Sequence, residues 1–459
     1  MPFKIPHKLY LLLTLIISMT GISCSKRSSD NPPTTQEVVT DIQVLTNQPL
    51  LTNKLMLGVT YMQYNLTNGG DPTSIERGKD LLKGLVVFHN QHIFGFGAGN
   101  IEPKKGIYDW STLDNRIQLM RDLGATPVIT LATAPTWMTD STWTPGKYAN
   151  ETDWSKIEYA PLPEHVQDFA DLCAQVAKRY PDVKYFQVWN EMKGLWNPTK
   201  NRWDYERFTT LYNKVYEAVK SIRPDAMLGG PYVVLNTYLK PNSTQSSSIS
   251  SPLYGTVDKR DLDVITYWLN NKSGADFICV DGNVKTRDVS DLNIINATKK
   301  FYDISIWIHN QTTLPVWWAE DYVGQSPPVK SDTAKQAAAI ASMLAYHALA
   351  GDAASLRWSP ERQPSAAEDD FITSLFTSTL KPGGGRPLPN YNVYRDFHRF
   401  FPAGTTLAQT GATSDKIRVL ASAKNIMLIN TTDSTQAVNI NHAKPLTLQP
   451  YQVYFGDMP

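Results

Sequence analysis

Tyr185-Phe186-Gln187-Val188-Trp189-Asn190-Glu191 is a run of strand-favouring residues that closes on an amide and a carboxylate. Far downstream, Val316-Trp317-Trp318-Ala319-Glu320 has the same form. Each Glu is thereby expected at the C-terminal edge of a rigid strand. In barrels of parallel strands, that edge is where reactive side chains collect.

Working outward from this stretch, short β-rich runs alternate with long amphipathic ones from about residue 55, the mark of repeated βα units. The runs fall at residues 56–61, 92–96, 126–132, 185–189, 227–234, 277–280, 315–319 and 355–358. Eight of them predict an α/β fold, a (β/α)8 TIM barrel over residues 51–400. Between them, helical stripes such as Phe169, Ala170, Cys173, Val176 and Ala177, or Phe208, Leu211, Tyr212, Val215, Val219 and Ile222, would face a barrel exterior. Asp332-Thr333 reads as the cap of a helix that runs through Ala337 to Ala350 and stops at Gly351. After residue 400 the pattern changes to apolar alternation broken by Asn, Thr, Asp and Pro, around 417–420, 426–429 and 452–455. Residues 401–459 therefore predict a small antiparallel β-sandwich, too thin alone, to which the segment before the barrel would add a strand.

The N-terminus carries Lys4 and Lys8 ahead of an apolar stretch that ends at Gly21-Ile22-Ser23-Cys24. Residues 1–23 read as a lipoprotein-type signal peptide, with Cys24 as the acylated residue. Residues 24–50 follow as a polar, Pro-containing tether that ends in the possible first strand of the β-domain. Export to the bacterial envelope, and specifically to the outer membrane, is the expected location, with membrane contact only through the lipid.

A formal charge of +1 leaves no field to attract nucleic acid. Beyond Cys24, Cys173 and Cys279 sit on a helix stripe and inside a strand, as buried thiols rather than a disulfide. His89 and His92 could share a helix face, but no carboxylate or third ligand accompanies them, so no metal is predicted. Gly95-Phe96-Gly97-Ala98-Gly99 lacks the helix start of a dinucleotide loop. No cofactor is implied. The 12 Trp and 22 Tyr are more informative, since Trp137, Trp143, Trp154, Trp196 and Trp203 fall in loops, where flat rings suit the C–H faces of sugars. For any one of them, pinning a loop is the commoner role.

Two carboxylates at strand ends suit cleavage of an acetal: one protonates the leaving oxygen while the other stabilises or traps the oxocarbenium-like carbon. Neither suffices alone.

Gln187-Val188-Trp189-Asn190-Glu191 resembles the strand-four motif of the clan A glycoside hydrolases, most closely family 39. Residues 101–110 leading to Leu113-Asp114, the stretch 223–231 and the Glu320 segment extend the resemblance over most of residues 55 to 400. It implies that Glu191 is the acid/base, that Glu320 is the nucleophile, and that the anomeric configuration is retained. It further implies that Asn190 bonds a sugar hydroxyl and that Trp358 forms an aromatic floor, with Trp137 and Tyr232 as further substrate contacts. The chain departs from the family in two places. Met192-Lys193-Gly194 follows Glu191 where Pro is usual, and Asp281-Gly282-Asn283 stands where His and an aromatic are common, which makes Asp281 a candidate sugar contact. Lys193 would meet an acidic sugar or face water.

The leading expectation is a retaining glycosidase acting on oligo- or polysaccharide. The alternative is a cell-surface carbohydrate-binding lipoprotein whose barrel has weakened catalysis.

Overall fold

Eight strands close into a barrel in the computed structural model: β1 (Met56–Thr60), β2 (Phe88–His92), β3 (Thr126–Leu131), β4 (Tyr185–Val188), β5 (Met227–Val234), β6 (Phe277–Asn283), β7 (Val316–Tyr322) and β8 (Ala354–Trp358). Every neighbouring pair is parallel, and β8 returns to β1. The structure describes residues 39–61, 65–95, 97–140, 157–289, 292–324, 333–362, 374–443 and 445–459. The leader, Cys24, the tether up to residue 38, Phe96, Trp143, Trp154 and Asp332 lie outside these residues.

Helices pack outside the barrel through the stripes read from the sequence. In α1 (Val166–Arg179), Phe169, Ala170, Cys173, Val176 and Ala177 are buried. In α2 (Tyr205–Ile222), Phe208, Leu211, Tyr212, Val215 and Val219 are buried, whereas Ile222 is exposed. The Ala-rich helix α3 (Thr333–Ala350) ends at Gly351, which has φ +81°. Cys173 and Cys279 are buried free thiols.

The second strand differs from the sequence expectation. It spans Phe88–His92 rather than 92–96, because four of its five residues are polar and yet fully buried. Hydropathy misses such a strand. Gln91 accepts from Arg116, and Asn90 joins a belt that crosses successive strands. Thr60 Oγ1 donates to the Ala319 carbonyl at 3.0 Å, and Asn90 Nδ2 donates to Thr60 Oγ1 at 3.1 Å. Thr130 Oγ1 donates to Asn90 Oδ1 at 2.9 Å, and Gln187 Nε2 donates to Thr130 Oγ1 at 3.3 Å. Buried polar groups cost little when each meets a partner, and a connected belt is rigid.

At the opposite, N-terminal end of the strands, Phe88, Tyr185, Phe277 and Trp317 fill the barrel, with ring centroids 4.4–5.3 Å apart for Phe277–Trp317, Phe88–Trp317, Tyr185–Trp317 and Phe88–Tyr185. Pairs of this kind add about 0.5–1.5 kcal/mol each beyond area burial. Gly229 makes room for them, since a Cβ there would lie 2.2 Å from the Phe277 ring. The barrel is thus plugged below and open only at the strand C-termini.

A mixed sheet and an antiparallel sheet form the β-domain beside the barrel. Val39–Thr52 lies between Thr406–Ala412, to which it is antiparallel, and Gln436–Ile440, to which it is parallel, with Leu446–Leu448 at the edge. Ile417–Ala421, Asn425–Asn430 and Val453–Asp457 form the other sheet. Ile42, Val44, Ile426, Leu428 and Val438 share the core between the sheets, while Leu420, Met427 and Ile429, from the opposite face of the second sheet, join the barrel's hydrophobic cluster. Among the described residues no helix is long and apolar enough to cross a membrane.

Candidate active site

The chain leaves β4 through an unusual turn. Trp189, Glu191 and Met192 all have positive φ (69°, 50° and 56°), a region that costs a side-chain-bearing residue about 1–2 kcal/mol. Local bonds hold the turn in place. Lys193 N donates to the Asn190 carbonyl and Leu195 N to the Met192 carbonyl, each at 3.0 Å, and Trp189 Nε1 donates to the Lys193 carbonyl at 3.0 Å. Gly194, with φ +71°, lies so close to the segment before α1 that a Cβ would fall 2.3 Å from Ala160 N. Strain sustained this way fixes the direction of Glu191.

Strands β6 and β7 deliver two more carboxylates. Asp281 and Glu320 are register partners on adjacent strands. One oxygen from each of Glu191, Asp281 and Glu320 lies within 4.8 Å of the other two. Asp281 and Glu320 are almost wholly buried, whereas the Glu191 side chain keeps about a quarter of its surface open. Tyr232 Oη donates to Glu320 Oε1 at 2.7 Å, and Tyr322 Oη donates to Glu320 Oε2. Asp281 faces Glu191, and the two carboxyl groups influence each other's hold on a proton.

The charges are divided unequally. Burial pushes the Glu320 carboxyl up, as does the charge of Glu191, and despite the two tyrosine hydroxyls it reaches about 8. Asp281 is raised well above the carboxylate range by burial and by the charges of Glu191 and Glu320. Glu191 goes the other way. Burial raises it, but the Lys193 ammonium, with the Asp281 carboxyl, outweighs burial and holds it below its ordinary value. Lys193 Nζ lies 2.8 Å from Glu191 Oε2 and 2.6 Å from Glu158 Oε1, so the lysine faces carboxylates rather than open water.

Of the other sequence-singled residues, Asn190 is buried and lies close enough to His92 to influence its basicity. Trp358, at the end of β8, lies 5.5 Å from the Tyr322 ring and so flanks the Glu320 group. Trp137 sits on the rim. Its indole N–H donates to the Glu102 carbonyl at 2.9 Å, and its ring meets His165 edge-on.

Sequence reasoning missed His92 and Tyr322 as site residues. His92 stands on a strand, not a helix, and a carboxylate is near it after all: the charge of Glu191 acts on it, although burial is the dominant influence and lowers its basicity to about 3. It is neutral at neutral pH. Tyr322, two residues past Glu320, was detectable from strand alternation, which points positions i and i+2 to one face.

Three clustered carboxylates are also the donor set of a hard divalent cation. Here the Glu320 oxygens already meet two hydroxyls and a Glu191 oxygen meets an ammonium.

A family model described as Glycosyl hydrolases family 39 matches residues 52–359. None of the curated protein sequences matches the chain. Among solved structures, a conserved exported protein from Bacteroides fragilis superposes with a TM-score of 0.61 at 13% identity, covering 90% of this chain and 99% of the other. A family 39 β-xylosidase from Caulobacter crescentus gives 0.58 at 16%, covering 89% and 84%. A family 39 enzyme from Xanthomonas axonopodis pv. citri gives 0.57 at 14%, covering 90% and 84%.

Proposed function

The chain belongs to glycosyl hydrolase family 39, and from that premise we propose that it cleaves O-glycosidic bonds of complex glycans by double displacement, with Glu191 as acid/base and Glu320 as nucleophile. One observation carries the mechanism: oxygens of the two carboxylates lie within 4.8 Å, close to the separation of about 5 Å at which a carboxylate reaches the anomeric carbon directly. An inverting pair needs room for a water between the two groups.

In the first step a Glu320 oxygen bonds the anomeric carbon, the bond to the leaving oxygen breaks, and the Glu191 proton passes to that oxygen. In the second, Glu191 takes a proton from water. The water oxygen attacks the same carbon, and the ester at Glu320 is released. Tyr232 and Tyr322 orient Glu320 and stabilise the charge it regains. Asn190, Asp281 and Trp358 would hold the sugar, with Trp137 at an outer subsite. The β-xylosidase likeness makes aryl xylosides the first probes, within a panel of aryl glycosides.

A mechanism-based fluoroglycoside or cyclophellitol panel, followed by peptide mass spectrometry, tests the assignment. Label on Glu320 is expected, and label elsewhere overturns it. The second reading, a carbohydrate-binding surface lipoprotein with weakened catalysis, draws on the Lys193 ion pair, which disfavours the protonated acid. Binding of oligosaccharide with no label and no turnover would favour it.

We place the protein at the bacterial envelope, anchored through Cys24 and directed to the outer membrane. Likeness to an exported protein supports export. Cys24→Ser should move the protein from the membrane fraction to the soluble one, and unchanged fractionation removes the anchor.

A further inference from the structure

The Lys193 ammonium is shared between the catalytic-site Glu191 and Glu158 outside it. The sharing is built into the backbone. Gly194 abuts the Glu158–Ala160 segment so closely that a Cβ would fall 2.8 Å from the Glu158 carbonyl oxygen as well as on Ala160 N. Glu158 is the more open of the lysine's two carboxylate partners, at 41% side-chain exposure against 24% for Glu191. The ammonium is thus tied to a second carboxylate besides Glu191.

We propose that Lys193 is a positioning residue that acts through Glu191, favouring the carboxylate form that serves as base and hence hydrolysis of the glycosyl ester over its formation. The inference rests on the double-displacement reading above. Glu191 must alternate between acid and base in that cycle, so any fixed charge beside it speeds one half and slows the other. Among the described residues, the other groups facing Glu191 are Asp281 from β6, Glu320 and Tyr322 from β7, Tyr232 from β5 and His92 from β2. His92 is held neutral by burial, and the others are acids. Lys193 is therefore the cation that offsets them. Its own proton is secure, because the nearby Glu191 and Glu158 outweigh burial and hold it above the ordinary lysine value.

The test uses Lys193→Met, Lys193→Arg and Glu158→Gln in the full chain, with dinitrophenyl and poorer aryl glycosides of the sugar turned over fastest in the panel. Lys193→Met should move the basic limb of the kcat/KM profile upward by about one pH unit. It should lower kcat for the dinitrophenyl glycoside about tenfold, where ester hydrolysis limits, while leaving kcat/KM at neutral pH unchanged or raised. Lys193→Arg should restore the wild-type profile. Glu158→Gln, by leaving the ammonium to Glu191 alone, should shift the basic limb the opposite way. A merely structural lysine would lower kcat and kcat/KM together without moving the limb, and that result overturns the proposal, as does a Glu158→Gln shift of the same sign. Failure of azide to rescue Glu191→Ala would instead remove the acid/base assignment underneath it.

Discussion

Tyr232 on β5 donates its hydroxyl to Glu320 Oε1 on β7 at 2.7 Å, although β6 lies between the two strands. The contact is possible because both side chains converge at the open end of the barrel. Tyr232 also has a positive φ of 54°, so its backbone is bent to make the reach. A hydrogen bond to a charged group contributes about 1.5–3 kcal/mol. Tyr232→Phe should therefore reduce kcat/KM by about tenfold to a hundredfold with little change in fold, as read by steady-state rates beside circular dichroism. Wild-type rates in a folded variant would show that the bond orients nothing.

On the proposed mechanism, Glu191→Ala should remove proton transfer but leave Glu320 free to attack. With a dinitrophenyl glycoside, which needs little protonation, ester formation should persist and the glycosyl-enzyme should accumulate. Azide should then raise turnover and release a glycosyl azide. If product analysis finds no azide adduct in a folded variant, Glu191 has another role.

The carboxylate trio should impose a high basic limb. At neutral pH the site carries protons on Glu320, raised to about 8, and on Asp281, while Glu191 is held ionised. The reactive form has the same number of protons, with one moved from Glu320 to Glu191. As pH rises through about 8 that proton is lost, and kcat/KM should fall. On the acid side the rate should fall only below the ordinary carboxylate range, where Glu191 also protonates. A basic limb within the carboxylate range would contradict this charge arrangement.

Glu320 is followed by Asp321, which turns the other way and pairs with Arg357 of β8 at 3.3 Å, both side chains fully buried. Arg357→Met leaves that carboxylate uncompensated. Breaking a buried pair on one side costs about 3–5 kcal/mol. Urea denaturation should show a loss of that size, and unchanged stability would show that the pair adds nothing to the fold.

Asn190-Glu191 and Glu320 were legible as strand-end groups because apolar runs precede each, and the helix stripes were legible because each must present one face to a barrel. The second strand was not, since Phe88–His92 has polar side chains whose burial depends on partners at residues 60, 116 and 130. The strands Thr406–Ala412 and Gln436–Ile440 also escaped notice, because their alternation is weak until Val39–Thr52 pairs with both.

By itself, then, the sequence determined the eightfold alternation of strand and helix and the two carboxylates at strand ends, because period and hydropathy are local properties. Tertiary structure alone decided that Asp281 stands between them and that Lys193 binds Glu191. It also brought His92 and Tyr322 to the site and set Tyr232, a sugar-contact candidate from the sequence, on Glu320 instead. Those relations join residues from five different strands and their loops. Closing the barrel brings them within a few ångströms, and their burial, their mutual charge and the Lys193 ammonium then set which carboxylate holds a proton.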